Sequence, residues 1–284
     1  MAIRILTDSS AEFSQEELKQ ANIWCVPITV IFGEQAFLDG EELSKEVFYN
    51  RLLEQKDFPK TSQPSPEQFL RYFEEAKAAG DSVIAILLSS ALSGTVQSAY
   101  LAREICDYDK IYIVDSFSAT GGIRILVEEA IRLRDQGNSA QAIVKTIESL
   151  RHRICIFAGL DTLEYLYKGG RLSKTQAIAG SLAKVKPIIT VTQEGLVAVC
   201  GKAIGRKKAV SFLVQKTAEH PIDFEYPVYY IYSYDAQNCR LLQKKMESES
   251  IWPNLSANQI LNIGPTIGTH IGTGAFGIIY IRKE

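Results

Sequence analysis

Ser82-Val83-Ile84-Ala85-Ile86-Leu87-Leu88, followed by Ser89-Ser90-Ala91-Leu92-Ser93-Gly94-Thr95, is the stretch on which the fold turns. The run is apolar from Val83 to Leu88, ends in a hydroxyl-rich turn and leads into a helix-like pattern from Val96 to Ile105. A buried strand that feeds a loop and then a helix belongs to a parallel-type sheet with crossover helices. In such sheets ligands collect beyond the carboxyl ends of the strands, where loop hydroxyls and helix amides converge. Gly94 allows another group to approach the backbone closely there.

On either side of this stretch, β-rich runs alternate with helical patterns through the first half of the chain. Strands are expected at Ile3–Leu6, Trp24–Ile31, Ser82–Leu87 and Ile111–Val114. Ser14-Gln15-Glu16-Glu17 and Ser65-Pro66-Glu67-Gln68 are capping boxes, the second with proline at the first helical position. Phe69, Tyr72, Phe73 and Ala76 then give one apolar helix face. Further helices are expected over Ala119–Arg134 and Ser139–Leu150.

In the second half the strands fall in pairs. Lys186–Thr192 and Leu196–Cys200 flank Gln193-Glu194-Gly195, a link suited to an antiparallel hairpin. Strands follow at Val228–Tyr232, Gln259–Ile263 and Gly277–Ile281, with helices at Arg206–Glu219 and Ala236–Glu249. The expected class is α/β: an N-terminal, mainly parallel α/β/α domain over residues 1–155, and a C-terminal α+β domain over 156–284 with a mixed or antiparallel sheet. No Pro- or Gly-rich linker separates them, so a shared interface, and a pocket in that seam, are expected.

Composition narrows the function classes. The chain has 284 residues, 46% hydrophobic and 23% charged, an ordinary globular balance. No apolar run nears the ~18 residues of a membrane span. Arg4 and Asp8 interrupt the apolar core that a signal peptide would need, so a cytoplasmic address is expected. The net charge of -2 is unevenly spread: residues 1–150 hold 14 Lys and Arg against 23 Asp and Glu, and residues 151–284 hold 17 against 10. That balance argues against nucleic acid as a partner and places any anionic ligand nearer the second half. Cys25, Cys106, Cys155, Cys200 and Cys239 are odd in number and widely spaced, as reduced core thiols would be. His152, His220 and His270 lie too far apart for a zinc or facial-triad pattern, so no metal is expected.

Several segments could carry chemistry. Lys60-Thr61-Ser62-Gln63-Pro64-Ser65-Pro66 packs hydroxyls and prolines before a helix start, a setting for a carboxylate or phosphate or simply a capped loop. Ser93 lacks the Gly-x-Ser-x-Gly frame of a hydrolase nucleophile. Asp8-Ser9-Ser10 and Asp115-Ser116 follow strands and read first as caps. Tyr165 to Ser173 reads as the end of one helix at Gly169-Gly170 and the start of another. Lys202, Arg206, Lys207 and Lys208 are a solvated helix face or a dock for an acidic partner. Gly264 to Gly274 reads as a loop with four glycines around His270, which suggests close approach of a ligand.

Thr7-Asp8-Ser9-Ser10, Lys60-Thr61-Ser62-Gln63-Pro64, Ser89 to Thr95, Val114-Asp115-Ser116, Lys168-Gly169-Gly170-Arg171 and Ile267-Gly268-Thr269-His270 together resemble the DegV family in order and spacing, over nearly the whole chain. The resemblance implies a buried long-chain fatty acid such as palmitate, stearate or oleate, no cofactor, and no catalysis by the chain itself. It implies a partner too: an ATP-binding fatty acid kinase subunit that converts the bound acid to acyl phosphate. Passing contact with a membrane surface for acyl exchange belongs to the same picture. By this resemblance Thr61, Ser93 and His270 hold the carboxylate, with Ser62, Gly94 and Thr269 supporting them and Arg171 available to a phosphate or the kinase. Two positions depart from the family pattern: Thr273 replaces a common proline, and Ile204 stands where arginine is frequent.

The energetics suit that reading. Burying a ~16-carbon chain at about 0.8 kcal/mol per methylene yields on the order of 11 kcal/mol before association costs. The head group then needs two or three donors, because an unpaired buried carboxylate is costly. Neutral donors leave its oxygen more nucleophilic than a tight arginine pair would. The alternatives are a serine-dependent lipid or ester hydrolase built on Ser93 and His270, and a lipid sensor without phosphorylation.

Overall fold

The computed structural model describes residues 2–54, 57–173, 185–249 and 259–284. The chain opens with β1 (Ile3–Asp8), α1 (Gln15–Ala21) and β2 (Ile23–Val26), followed by β3 (Thr29–Phe32), β4 (Gln35–Leu38), α2 (Lys45–Glu54) and β5 (Lys60–Ser62). Next come α3 (Pro66–Ala79), β6 (Ser82–Leu87), α4 (Thr95–Cys106), β7 (Ile111–Asp115), α5 (Gly121–Asp135) and α6 (Ala140–Leu150). Strands β2-β1-β6-β7 form an all-parallel sheet in that order.

The apolar run in β6 is explained by cover on both faces. Val83, Ala85 and Leu87 pack with Phe69 and Phe73 of α3 and Val96 and Ala99 of α4. Ile84 and Ile86 face the other way, against Ile123 of α5 and Ile143 and Ile147 of α6. Each Val, Leu, Ile or Phe so buried contributes ~1.5–3 kcal/mol relative to exposure. Both helix starts behave as their sequences dictate. Ser14 N donates to Glu17 Oε2 at 2.7 Å while Glu17 N donates to Ser14 Oγ at 3.2 Å, and Ser65 N donates to Gln68 Oε1 at 2.8 Å.

The second sheet begins at β8 (Ile154–Gly159). After α7 (Glu164–Lys168) come β9 (Val185–Val191), β10 (Val197–Ile204), α8 (Arg206–Glu219), β11 (Tyr229–Tyr232), α9 (Gln237–Ser248), β12 (Ile260–Asn262), α10 (Pro265–Ile271) and β13 (Phe276–Ile281). Its order is β10-β9-β8-β13-β11-β12, antiparallel except for the β11–β12 pair. Alternation again sorts the side chains. Phe157, Ile278 and Tyr280 pack under Leu213 of α8 and Leu242 of α9, whereas Ile156, Ala158 and Ile279 join the cluster that holds Ile84, Ile86 and α5. Helix α5 therefore lies between the two sheets. Its first residues must be small: a Cβ on Gly121 would come within 3.2 Å of Ile279 Cδ1 and Leu261 Cδ1. The architecture is the expected mixed α/β class, a parallel N-terminal sheet with helices on both faces followed by a C-terminal mixed sheet.

Three readings of the sequence are corrected. Trp24–Ile31 is not one strand: Pro27 has no amide hydrogen for a ladder, and the chain breaks there into β2 of the parallel sheet and β3 of a separate sheet. That third sheet, β4-β3-β5, is antiparallel, and Val30 and Phe32 pack under Phe48, Tyr49 and Leu52 of α2. The segment from Gly264 is not a loop around His270. Pro265 starts α10, and its glycine serves helix packing, since a Cβ on Gly268 would lie 2.6 Å from Phe48 Cε1. Lys60–Ser62 is a strand rather than part of a turn. The helix start expected after Gly170 falls mostly outside the described residues. Among the described residues no helix is long and apolar enough to cross a membrane, and all five cysteines are free.

Candidate functional site

Four separate elements bring polar side chains to one cavity between the parallel sheet and the mixed sheet. β5 carries Thr61 in register with Val30 of β3, the β6–α4 loop carries Ser93, α10 carries His270, and the segment after α7 carries Arg171. The cavity encloses about 760 Å³ not filled by protein atoms, part of it open to solvent. Its walls are otherwise aliphatic, with Ile28 and Leu88 from the first half and Ile156, Ala158, Ile189 and Ile231 from the mixed sheet.

The polar groups are linked to one another. Thr61 Oγ1 and His270 Nε2 are 2.8 Å apart. Ser93 Oγ and Thr95 Oγ1 share a 2.8 Å hydrogen bond, and Thr95 N donates to Ser93 Oγ at 3.3 Å. Arg171 donates from Nε to Leu92 O at 2.9 Å and from Nη1 to Gly169 O at 2.6 Å, which fixes its guanidinium beside both Ser93 and His270. Gln63 Nε2 donates to Ser98 Oγ at 2.9 Å and latches the Thr61 segment over the Ser93 loop. Gly94 makes room for that latch, because a Cβ there would sit 1.8 Å from Gln63 Oε1. The two other hydroxyls on the wall are committed elsewhere: Thr120 Oγ1 donates to Glu12 Oε1 at 3.3 Å and Thr266 Oγ1 to Asp39 Oδ2 at 2.5 Å.

Burial governs the electrostatics. It pushes His270 down to about 3, helped by the positive charge of Arg171, so the imidazole is neutral around pH 7. The folded value lies below the ordinary 6.5, so this group's stabilising contribution is lost as pH falls from about 6.5 through 3. Burial also lowers the pKa of Arg171, which makes no ion pair among the described residues. A half-buried guanidinium without a carboxylate partner favours an anionic ligand.

Asp39 behind the wall has the opposite sign. Burial raises it to about 7, opposed by its Thr266 hydrogen bond and reinforced by Glu12. The folded chain then binds this proton more tightly than the unfolded one between about pH 4 and 7, so stability from this group fades as pH rises through that window. Asp39→Asn, which stays neutral and can still accept from Thr266, is expected to gain stability relative to the parent as pH rises from 5 to 8, by a few kcal/mol at most at ~1.4 kcal/mol per pKa unit. Melting temperatures across that range check this; parallel pH profiles for the two proteins would contradict it.

Ser62, Gly94 and Thr269, expected as supporting ligand residues, do not line the cavity. Ser62 is exposed because strand alternation turns it away from Thr61, and Thr269 spends its hydroxyl on Pro265 O at 2.8 Å within α10. The sequence shows Gly169 only as a helix stop. Beyond ending α7 it is the floor on which the imidazole rests, since a Cβ there would be 2.2 Å from His270 Nδ1. Ile204 lies at the end of β10 and is 65% exposed, away from the cavity lining. Among the described residues no group of His, Cys, Asp and Glu could hold a metal ion.

Known proteins share both the sequence and this fold. The family model of uncharacterised DegV proteins matches residues 2–283. A DegV domain-containing protein of Caldanaerobacter subterraneus subsp. tengcongensis is 36% identical over 282 residues, covering 99% of each chain. Among solved structures, a fatty-acid-binding DegV family protein of Thermus thermophilus is 30% identical, with a TM-score of 0.89 and all of both chains covered. A stearic acid-binding protein of Eubacterium ventriosum is 27% identical, also with a TM-score of 0.89, over 100% of this chain and 99% of that one. With a match along almost its entire length, the chain belongs to the DegV family.

Proposed function

We propose that this chain binds one long-chain fatty acid in the seam between residues 1–155 and 156–284, and holds its carboxylate with Thr61, Ser93 and His270. The observation that carries the reading is the cavity itself, aliphatic along its walls and polar where those three side chains and Arg171 meet. The fatty-acid-binding relatives from Thermus thermophilus and Eubacterium ventriosum support the ligand class. In this arrangement His270 acts on the carboxylate through Thr61: its Nε2–H donates to Thr61 Oγ1, leaving the threonine proton for the ligand, and the buried Nδ1, with no partner among the described residues, carries only a lone pair. Arg171 offsets the cost of burying the anion without drawing all its charge into one bidentate pair.

The chain acts as a carrier in this reading. A separate ATP-dependent kinase subunit transfers the γ-phosphoryl group: a carboxylate oxygen attacks γ-phosphorus, ADP departs, and acyl phosphate forms, with Arg171 placed to meet the incoming charge. Such a partnership puts the chain in the cytoplasm with ATP. The hydrolase alternative lacks support, because Ser93 bonds to Thr95 rather than to His270, and among the described residues no carboxylate orients the imidazole. Thr61→Ala and Ser93→Ala are each expected to weaken fatty acid retention about 10- to 100-fold, the effect of losing a hydrogen bond to a charged group. Equilibrium titration with a fluorescent fatty acid checks this; parental affinity in both variants would remove the assignment.

A further inference from the structure

A second cavity of about 920 Å³, open to solvent, lies where β8 and β9 part beyond the Phe157–Thr190 pair. It shares only Ile156 and Val191 with the acyl cavity, and none of the polar groups. Arg151, His152, Lys216, His220 and Arg282 line it, and none of its described lining residues is Asp or Glu. The nearby carboxylates are committed. Glu219 pairs with Lys216 Nζ at 2.5 Å, and Asp115 accepts from the amides of Ser90 and Phe117. Arg151 is held over the Phe117 ring at 4.3 Å and donates from Nη1 to Asp115 O at 2.7 Å, but its buried Nε has no partner. The Arg282 side chain makes no ion pair among the described residues.

Two guanidiniums with no carboxylate partner among the described residues, on a concave wall whose described lining carries no acid, form a focused positive field with planar donors. We propose that this pocket binds a phosphate group, gripped by Arg151 and Arg282. Phosphate oxygens match the guanidinium fork. The site is independent of the fatty acid reading, since none of these groups touches the acyl cavity's polar end.

The test follows the imidazole NMR signals of His152 and His220 in the full chain during titration with inorganic phosphate and with glycerol phosphate. A saturable shift is expected, with affinity lowered about tenfold in Arg151→Gln and in Arg282→Gln, while Lys202→Gln, outside the pocket, matches the parent. Sedimentation with phosphatidic acid vesicles, against phosphatidylcholine vesicles, identifies the source. Arginine-dependent pelleting assigns the phosphate to a lipid headgroup; its absence, with the NMR shift intact, assigns it to a soluble compound. Should Arg151→Gln misfold through loss of its Asp115 contact, Arg282→Gln and the parental titration decide. The proposal is overturned by the lack of any saturable shift, or by shifts unchanged in every folded arginine variant.

Discussion

Ala158→Phe is expected to empty the acyl cavity while leaving the head-group residues untouched. Ala158 sits on β8 between Ile189 of β9 and Gly277 of β13, and its methyl group faces the cavity with Ile156. A benzyl group added there grows into space the tail would occupy. Displacing even four methylenes forfeits about 3 kcal/mol, more than a hundredfold in affinity. The folded chain loses little by comparison, because the ring fills a hollow rather than a packed core, where overpacking costs ~1–3 kcal/mol. Fatty acid released on denaturation, measured beside the melting temperature, separates the two effects. Full loading with an unchanged melting temperature would show that the tail lies elsewhere.

Gly169→Val is expected to damage site and fold together, by a route visible only in three dimensions. Gly169 has ordinary helical dihedrals, φ -75° and ψ -7°, so its backbone tolerates any side chain. The obstacle is steric: a Cβ would stand 2.2 Å from His270 Nδ1 and 3.0 Å from Tyr165 O. Valine must push the imidazole off Thr61 and disturb the Gly169 carbonyl that anchors Arg171. Fatty acid affinity should fall at least as far as in His270→Ala, with stability lowered by ~1–3 kcal/mol. A double-mutant cycle isolates the cause, since His270→Ala opens the space that valine needs and should erase most of its added cost. Additive losses in the double mutant would contradict the contact.

These residues also show how far the sequence could be read. The β6 run and the two capping boxes specify their elements by local chemistry, and the structure places them where periodicity and caps say. Helix α2 went unrecognised because its apolar face is blurred: Val47 and Leu53 are 46% and 54% exposed while Phe48 and Leu52 are buried. Strand β5 has no apolar residue at all, and only its pairing with β3 makes it a strand. The glycines around His270 suggested ligand approach, yet Gly268 is small to meet Phe48. The glycine that does shape the imidazole's seat, Gly169, looked like a helix stop. Thr61, Ser93, Arg171 and His270 could be named one by one through the family resemblance. That Gln63 latches two of their segments together, and that Arg171 reaches back to Leu92 and Gly169, depends on tertiary contacts no local pattern encodes.

Native mass spectrometry of the protein purified from cells, followed by denaturation and identification of what is released, bears most directly on the central claim. One long-chain fatty acid per chain, exchangeable for added palmitate, is the predicted result. A chain that carries no lipid on purification, and takes up none when incubated with palmitate while still folded, would contradict it.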